Sequence, residues 1–222
     1  SPAITLIFAN DMGTHKQNCR IIADVLHSHG VRHIVCSPGS RNAPMLLAVD
    51  SLPKVETHIV IDERSAAFVA LGLAQISREP VALVCTSGTA LLNYAPAVAE
   101  AYYQGLPLIV VSADRPERWI DQDDSQTLRQ PGALSNFVKK SYDIHDFAAD
   151  NADMCRYANR EVNDAMITAL RRRRGPVHIN VRLDEPLTSG RQIPFSQQRK
   201  ISCVETEDIL AKDTVYDLAQ QA

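Results

Sequence analysis

From Asn18 onward the apolar positions follow two alternating rhythms. Ile21, Ile22, Val25 and Leu26 recur at helical spacing, and Gly30 stands where a left-handed residue would close that helix. Residues 31–36, with Val31 and the run Ile34-Val35-Cys36, read as a short buried strand. Ser37-Pro38-Gly39-Ser40 then turns the chain, and residues 45–49 open a second helical stretch. The same grammar predicts strands at 58–61, 81–85, 108–111 and 177–181, with helices at 65–76, 91–103 and 159–170. Strands that alternate with helices, and are apolar throughout, predict an α/β fold: a doubly wound, mostly parallel sheet with helices on both faces.

The two ends do not fit this rhythm. Residues 3–9 are apolar, but Asn10-Asp11-Met12-Gly13 interrupts them. Beyond Pro186, residues 187–200 are polar and carry Gly190 and Pro194, a linker composition, while 206–221 have the spacing of one more helix. The expected organisation is one domain over 1–187, with 188–222 forming a linker and the start of a next domain, as in a piece of a longer protein.

Composition narrows the functional classes. With 45% apolar and 22% charged residues in 222, the chain can bury a large core, which excludes general disorder. A net charge of −3 lacks the basic excess of a nucleic-acid binder. No apolar run approaches the roughly 20 residues of a membrane span, and no secretory leader opens the chain, so a cytoplasmic location is expected. Five cysteines are scattered without a C-x-x-C pair, the pattern of reduced thiols, with Cys36 and Cys85 placed as small core residues; neither a disulfide framework nor a zinc site is expected. His27 and His29 read as surface histidines. The run from Arg171 to Arg174 lies at a predicted helix C-terminus, where cations complement the helix dipole.

Ligands of open parallel sheets bind beyond the carboxyl ends of the strands, which selects residues 37–42, 62–64, 86–89, 112–118 and 182–185. Asp62 has a simpler role available as a helix N-cap. The sequence contains no G-x-G-x-x-G, P-loop, G-x-S-x-G or H-E-x-x-H signature. Taken alone, these patterns lead to an α/β domain with a ligand at its strand ends.

The loops themselves are more specific. Ser37-Pro38-Gly39-Ser40-Arg41-Asn42, Asp62-Glu63-Arg64, Thr86-Ser87-Gly88-Thr89, Ser112-Ala113-Asp114-Arg115-Pro116, Asp124-Ser125-Gln126 through Pro131-Gly132, and Gly175-Pro176-Val177-His178-Ile179-Asn180 occur in this order. Over about residues 18–187 this series resembles the amino-terminal, pyrimidine-binding domain of thiamine-diphosphate enzymes. Among these it is most similar to the menaquinone-biosynthesis synthase family, MenD. The resemblance implies that Glu63 pairs with N1′ of the cofactor's pyrimidine and thereby favours the 4′-imino tautomer, which removes the thiazolium C2 proton. It implies that Pro38 and Thr89 line the pyrimidine pocket. Ser40, Arg41, Arg115 and Gln126 would hold two polyanionic substrates, 2-oxoglutarate and isochorismate; a planar guanidinium fork suits carboxylates. Ser125 departs from the family, which carries Asn before the glutamine.

Thiamine diphosphate and Mg²⁺ are the implied cofactors. The family holds the diphosphate and Mg²⁺ through a Gly-Asp-Gly stretch that does not occur in these 222 residues. Their site is therefore expected in another domain, with the cofactor between subunits of a homo-oligomer (dimer or tetramer) and the isolated chain inactive. Two alternatives remain at this level: the same domain of an acetolactate-synthase-like enzyme, and a non-catalytic α/β binding module.

Overall fold

The computed structural model describes residues 14–188 and 193–203. The apolar run at 3–9 and the helix expected over 206–221 lie outside the described residues. Six strands form one sheet: β1 (His33–Cys36), β2 (Glu56–Ile59), β3 (Val81–Cys85), β4 (Leu108–Asp114), β5 (Ser141–Ile144) and β6 (Val177–Arg182). Their order is β2-β1-β3-β4-β6-β5, and every neighbouring pair is parallel. The helices are α1 (Gln17–Ser28), α2 (Ala43–Asp50), α3 (Glu63–Ser77), α4 (Ala90–Asn93), α5 (Ala95–Gln104) and α6 (Ala152–Leu170).

Period-2 geometry sends alternate strand residues into two cores. Ile34, Cys36, Ala82, Val84, Ile109 and Val111 meet α1, α2 and α6 on one face. Val35, Val81, Leu83, Cys85, Leu108 and Val110 meet α3, α4 and α5 on the other. The fold is the expected doubly wound sheet, and its central strands are buried at every position because both faces are covered. Cys36 and Cys85 are core residues, and burial pushes both thiols far above their usual range.

Several boundaries differ from the expected ones. The second strand lies two residues earlier than 58–61: it ends at Ile59, and Ile61 is 82% exposed. As an edge strand it is only half covered, so its apolar pattern is weak. The helix read as 91–103 is two helices, because Pro96 lacks the N–H and crowds the preceding turn. Strand β5 was not foreseen; only Tyr142 and Ile144 alternate into the core across its four residues. Helix α6 begins at Ala152 rather than 159, opened by the Asn151 side chain accepting from the Met154 N–H at 3.1 Å.

The arginine run does cap helices, though mainly neighbouring ones. Arg173 donates to the Tyr103 carbonyl at the end of α5, and Arg174 donates to the Arg78 carbonyl after α3 at 2.7 Å. His27 and His29 are taken up by the Pro53 carbonyl (3.0 Å) and the Asn163 side chain (2.8 Å). Residues 193–203 have no regular structure, yet they are held against α1 and α6: Ser196 N–H donates to Asp24 (3.2 Å) and Ile201 N–H to Asn163 (2.7 Å).

Candidate functional site

The loops that leave the carboxyl ends of β1, β3 and β4 come together. Asn42 braces the first loop from within: its side chain donates to the Ser37 carbonyl (2.8 Å) and accepts from the Gly39 N–H (2.8 Å). Ser37 Oγ reaches the Val60 carbonyl at 2.9 Å, which ties this loop to the segment leading from β2 into α3. At Gly39 a Cβ would lie 2.6 Å from Thr86 Cβ, so the approach of the β1 and β3 loops requires glycine there. Gly88 has φ +80°, and a Cβ on it would lie 3.0 Å from Gln126 Cγ, so the loop after β4 closes over it. The result is a tightly packed cluster of loops, with Gly88 buried and Gly39 half-buried at the points of closest approach.

Glu63 is the first residue of α3. Asp62 caps this helix, accepting from the Ser65 N–H at 2.7 Å, and the cap places Glu63 where the helix dipole favours a carboxylate. Glu63 is half-buried and lies close enough to Cys85 and Tyr94 for its charge to bear on both. Among the described residues no hydrogen bond or ion pair engages its carboxylate. Tyr94 is wholly buried, and burial holds its hydroxyl well above the usual range.

Arg41 and Arg115 are drawn together. Arg41 donates to the Leu183 carbonyl (3.1 Å) and pairs with Glu185 (3.1 Å). Burial, and after it the nearby Arg115 charge, lowers the Arg41 pKa, the electrostatic mark of two cations converging on one region. Arg115 pairs with Asp124 at 3.1 Å and donates to the Ser125 carbonyl at 2.9 Å. The guanidinium thus pairs with Asp124 and not with the carboxylates beside it in sequence, Asp114 and Glu117. Each guanidinium carries five N–H donors, so both retain donors for a further anion. Gln126 is exposed with φ 56° and leans on Gly88; Ser40 and Thr89 are exposed on the rim, and Pro38 is half-buried.

Beneath these loops runs a buried polar network that the sequence did not disclose. Gln130 accepts from the Gly88 N–H at 2.7 Å and donates to Asn180 Oδ1 (2.8 Å), the Ala113 carbonyl (3.1 Å) and Ser112 Oγ (3.2 Å). Ser112 bridges Asn180 (3.0 Å) and His178 Nε2 (2.7 Å). Asn180 donates to Asp114 (2.9 Å) and Asp143 (2.8 Å), and Asp114 accepts from the Arg115 N–H at 2.8 Å. Gln130 thus joins the Gly88 turn to the strand end that carries Arg115. Burial lowers the His178 pKa to about 4, which keeps the ring neutral, and it raises that of Asp114 against the pull of its hydrogen bonds. Polar residues inside the otherwise apolar strand β6 were the available signal, since buried polar groups need partners.

Comparison with known proteins bears on this geometry. Residues 18–133, just over half of the chain, match the family described as "Thiamine pyrophosphate enzyme, N-terminal TPP binding domain". The chain belongs to this family. Curated relatives of this thiamine pyrophosphate enzyme domain are named 2-succinyl-5-enolpyruvyl-6-hydroxy-3-cyclohexene-1-carboxylate synthase. One from Porphyromonas gingivalis is 50% identical over 205 residues, covering 89% of this chain and 35% of the relative. One from Desulfotalea psychrophila is 52% identical over 172 residues, covering 76% and 32%. The chain spans about a third of the length of the curated relatives it matches. Among solved structures, benzoylformate decarboxylase from Polynucleobacter necessarius superposes with a TM-score of 0.63 at 24% identity, over 84% of this chain and 33% of that one, a likeness of fold.

The residues present fit the pyrimidine end of the family's cofactor. A half-buried carboxylate, without a partner among the described residues, stands at a helix N-terminus near loops drawn together at two glycines. They do not fit its diphosphate end: the sequence has no Gly-Asp-Gly, and the strand-end loops bring together arginines rather than the oxygen ligands an octahedral Mg²⁺ needs.

Proposed function

We propose that this chain is the pyrimidine-binding part of a MenD-type synthase, which decarboxylates 2-oxoglutarate and adds the resulting four-carbon unit to isochorismate in 1,4 fashion. The observation that carries the reading is the Glu63 carboxylate, held at the mouth of the sheet by the α3 cap and without a partner among the described residues. Thiamine diphosphate, when bound, supplies the electron sink for carbon–carbon bond cleavage and formation. Glu63 accepts the hydrogen bond from pyrimidine N1′ and so holds a proton at that atom. Pro38 and Thr89 border the pyrimidine pocket, and Gly39 and Gly88 allow the close approach of the loops that carry them. Arg41 and Arg115 bind substrate carboxylates through their remaining N–H groups, with Ser40 and Gln126 as neutral donors.

Mg²⁺ and the diphosphate belong to residues outside this set, so the chain acts with a further domain in a homo-oligomer and is inactive alone. Exposed apolar side chains on and beside α3, among them Phe68, Val69, Ile76 and Leu92, support such a partner surface. The domain division near residue 187 and a cytoplasmic site of action complete the reading; among the described residues no helix is long and apolar enough to cross a membrane.

The test is Glu63→Gln in the full-length protein. Proton transfer by a placed group contributes about 10²–10⁴-fold, so turnover should fall by that factor while thermal unfolding stays near that of the parent. Near-normal turnover would remove Glu63 from the chemistry and the proposal with it.

A further inference from the structure

At the opposite ends of the strands from the loops described above, parallel register brings three metal-ligating side chains together. His33 opens β1 and Glu56 opens β2, and the two are paired; Val35 is paired with His58. Because side chains alternate across a sheet, His33, Glu56 and His58 all lie on the face that Val35 presents to the α3 side. There β2 is the sheet edge, and none of the three is fully covered.

Their ligand atoms face one another. His33 Nδ1 lies 3.2 Å from His58 Nε2, with the two rings tilted by 35°. Glu56 Oε2 lies 3.6 Å from His33 Nδ1, and Glu56 Oε1 lies 3.9 Å from His58 Nε2. One proton satisfies the contact between the two rings. The two carboxylate distances are too long for hydrogen bonds, so the carboxylate approaches both rings without closing on either. Zinc bonds of about 2.0–2.1 Å in a tetrahedron set ligand–ligand separations of about 3.3 Å. The two rings already stand at that spacing, and one ligand atom from each of the three side chains lies within 4.8 Å of the others, so a small shift of the exposed carboxylate completes the set.

We propose that His33, Glu56 and His58 form a transition-metal site spanning β1 and β2, which takes a borderline divalent ion such as Zn²⁺ and leaves its fourth position to water. Two imidazoles and one carboxylate select such an ion over Mg²⁺ or Ca²⁺, which want more oxygens. The site needs little rearrangement, because two hydrogen-bonded strands already hold the ligands. Its effect is to pin the edge strand β2 to β1, the only strand it pairs with among the described residues, and so to stiffen the segment that leads into Glu63. Neither spacing nor motif announces the trio, since His33 lies 23 positions before Glu56 and only register joins them.

The experiment is a Zn²⁺ titration of the full-length protein in excess Mg²⁺, comparing the parent with His33→Gln/His58→Gln and with His27→Gln as a control. The expected result is one Zn²⁺ per chain bound by the parent and by the control and missing from the double variant. Equal uptake by parent and double variant, or no stoichiometric uptake by the parent, would overturn the proposal. If the double variant fails to fold, Glu56→Gln decides, because that side chain is 67% exposed and can be changed without disturbing the core. Zn²⁺ affinity at least tenfold weaker supports the site, and unchanged affinity refutes it.

Discussion

Gln130→Ala would remove the hub that couples the Gly88 turn to the strand end bearing Arg115. Of the four groups bonded to Gln130, Ser112 Oγ keeps His178 and Asn180 Oδ1 keeps Ser112, so both retain partners. Gly88 N–H loses the side-chain acceptor that holds it at 2.7 Å in a buried position. An orphaned buried donor costs about 1–3 kcal/mol. The vacated space behind a fully buried side chain adds about another 1–2 kcal/mol, because the surroundings relax only in part. The sum is about 2–5 kcal/mol, which for a chain of this size lowers the melting temperature by roughly 5–20 °C. Urea unfolding measures the total, and hydrogen exchange at Gly88 measures the local share. Gln130→Glu separates geometry from bonding. It keeps an oxygen toward Gly88 but turns a second oxygen toward the Ala113 carbonyl and Asn180 Oδ1, so it should also destabilise despite its near-identical shape. A loss below about 1 kcal/mol for both variants, with Gly88 exchange unchanged, would refute the reasoning.

Other expectations follow from single features of the site. Between about pH 6.5 and pH 4 the unfolded chain takes up a proton at His178 that the folded chain refuses, so stability falls as pH falls through that window, by on the order of 3 kcal/mol. Comparing denaturation of the parent and His178→Gln across this range should show a shallower pH slope in the variant. Gly88→Ala forces a side chain into φ +80° and against Gln126, at a cost of about 1–2 kcal/mol, and should weaken cofactor binding to the full-length protein as measured by calorimetry. Arg41→Lys keeps the charge but loses the fork that serves Leu183 and Glu185 together, leaving no donor to spare in the same geometry. One charge-assisted hydrogen bond of about 1.5 kcal/mol predicts, on the proposed function, a roughly tenfold rise in KM for 2-oxoglutarate, with turnover changed far less.

How far the site could be read in advance depended on whether its parts are local. Apolar runs at 34–36, 81–85 and 108–111 marked β1, β3 and β4, since burial on both faces favours apolar side chains there, and the turns after them marked the strand ends. The Asp62 cap was legible for the same reason, since a cap acts within one helical turn. Edge strands were harder. β2 was placed two residues late and β5 was missed, because a strand with one neighbour and partial cover needs no unbroken apolar stretch.

What the tertiary structure decided are the pairings between distant positions. The Arg115 guanidinium takes Asp124 rather than an acid beside it, and Gln130 accepts from Gly88, 42 residues earlier. Likewise His33 meets His58 only through strand register. Hydrophobic pattern is a property of each segment, set by which face must leave water. A polar side chain finds its partner only after strand order and register have put two segments side by side, and nothing in either segment alone carries that information.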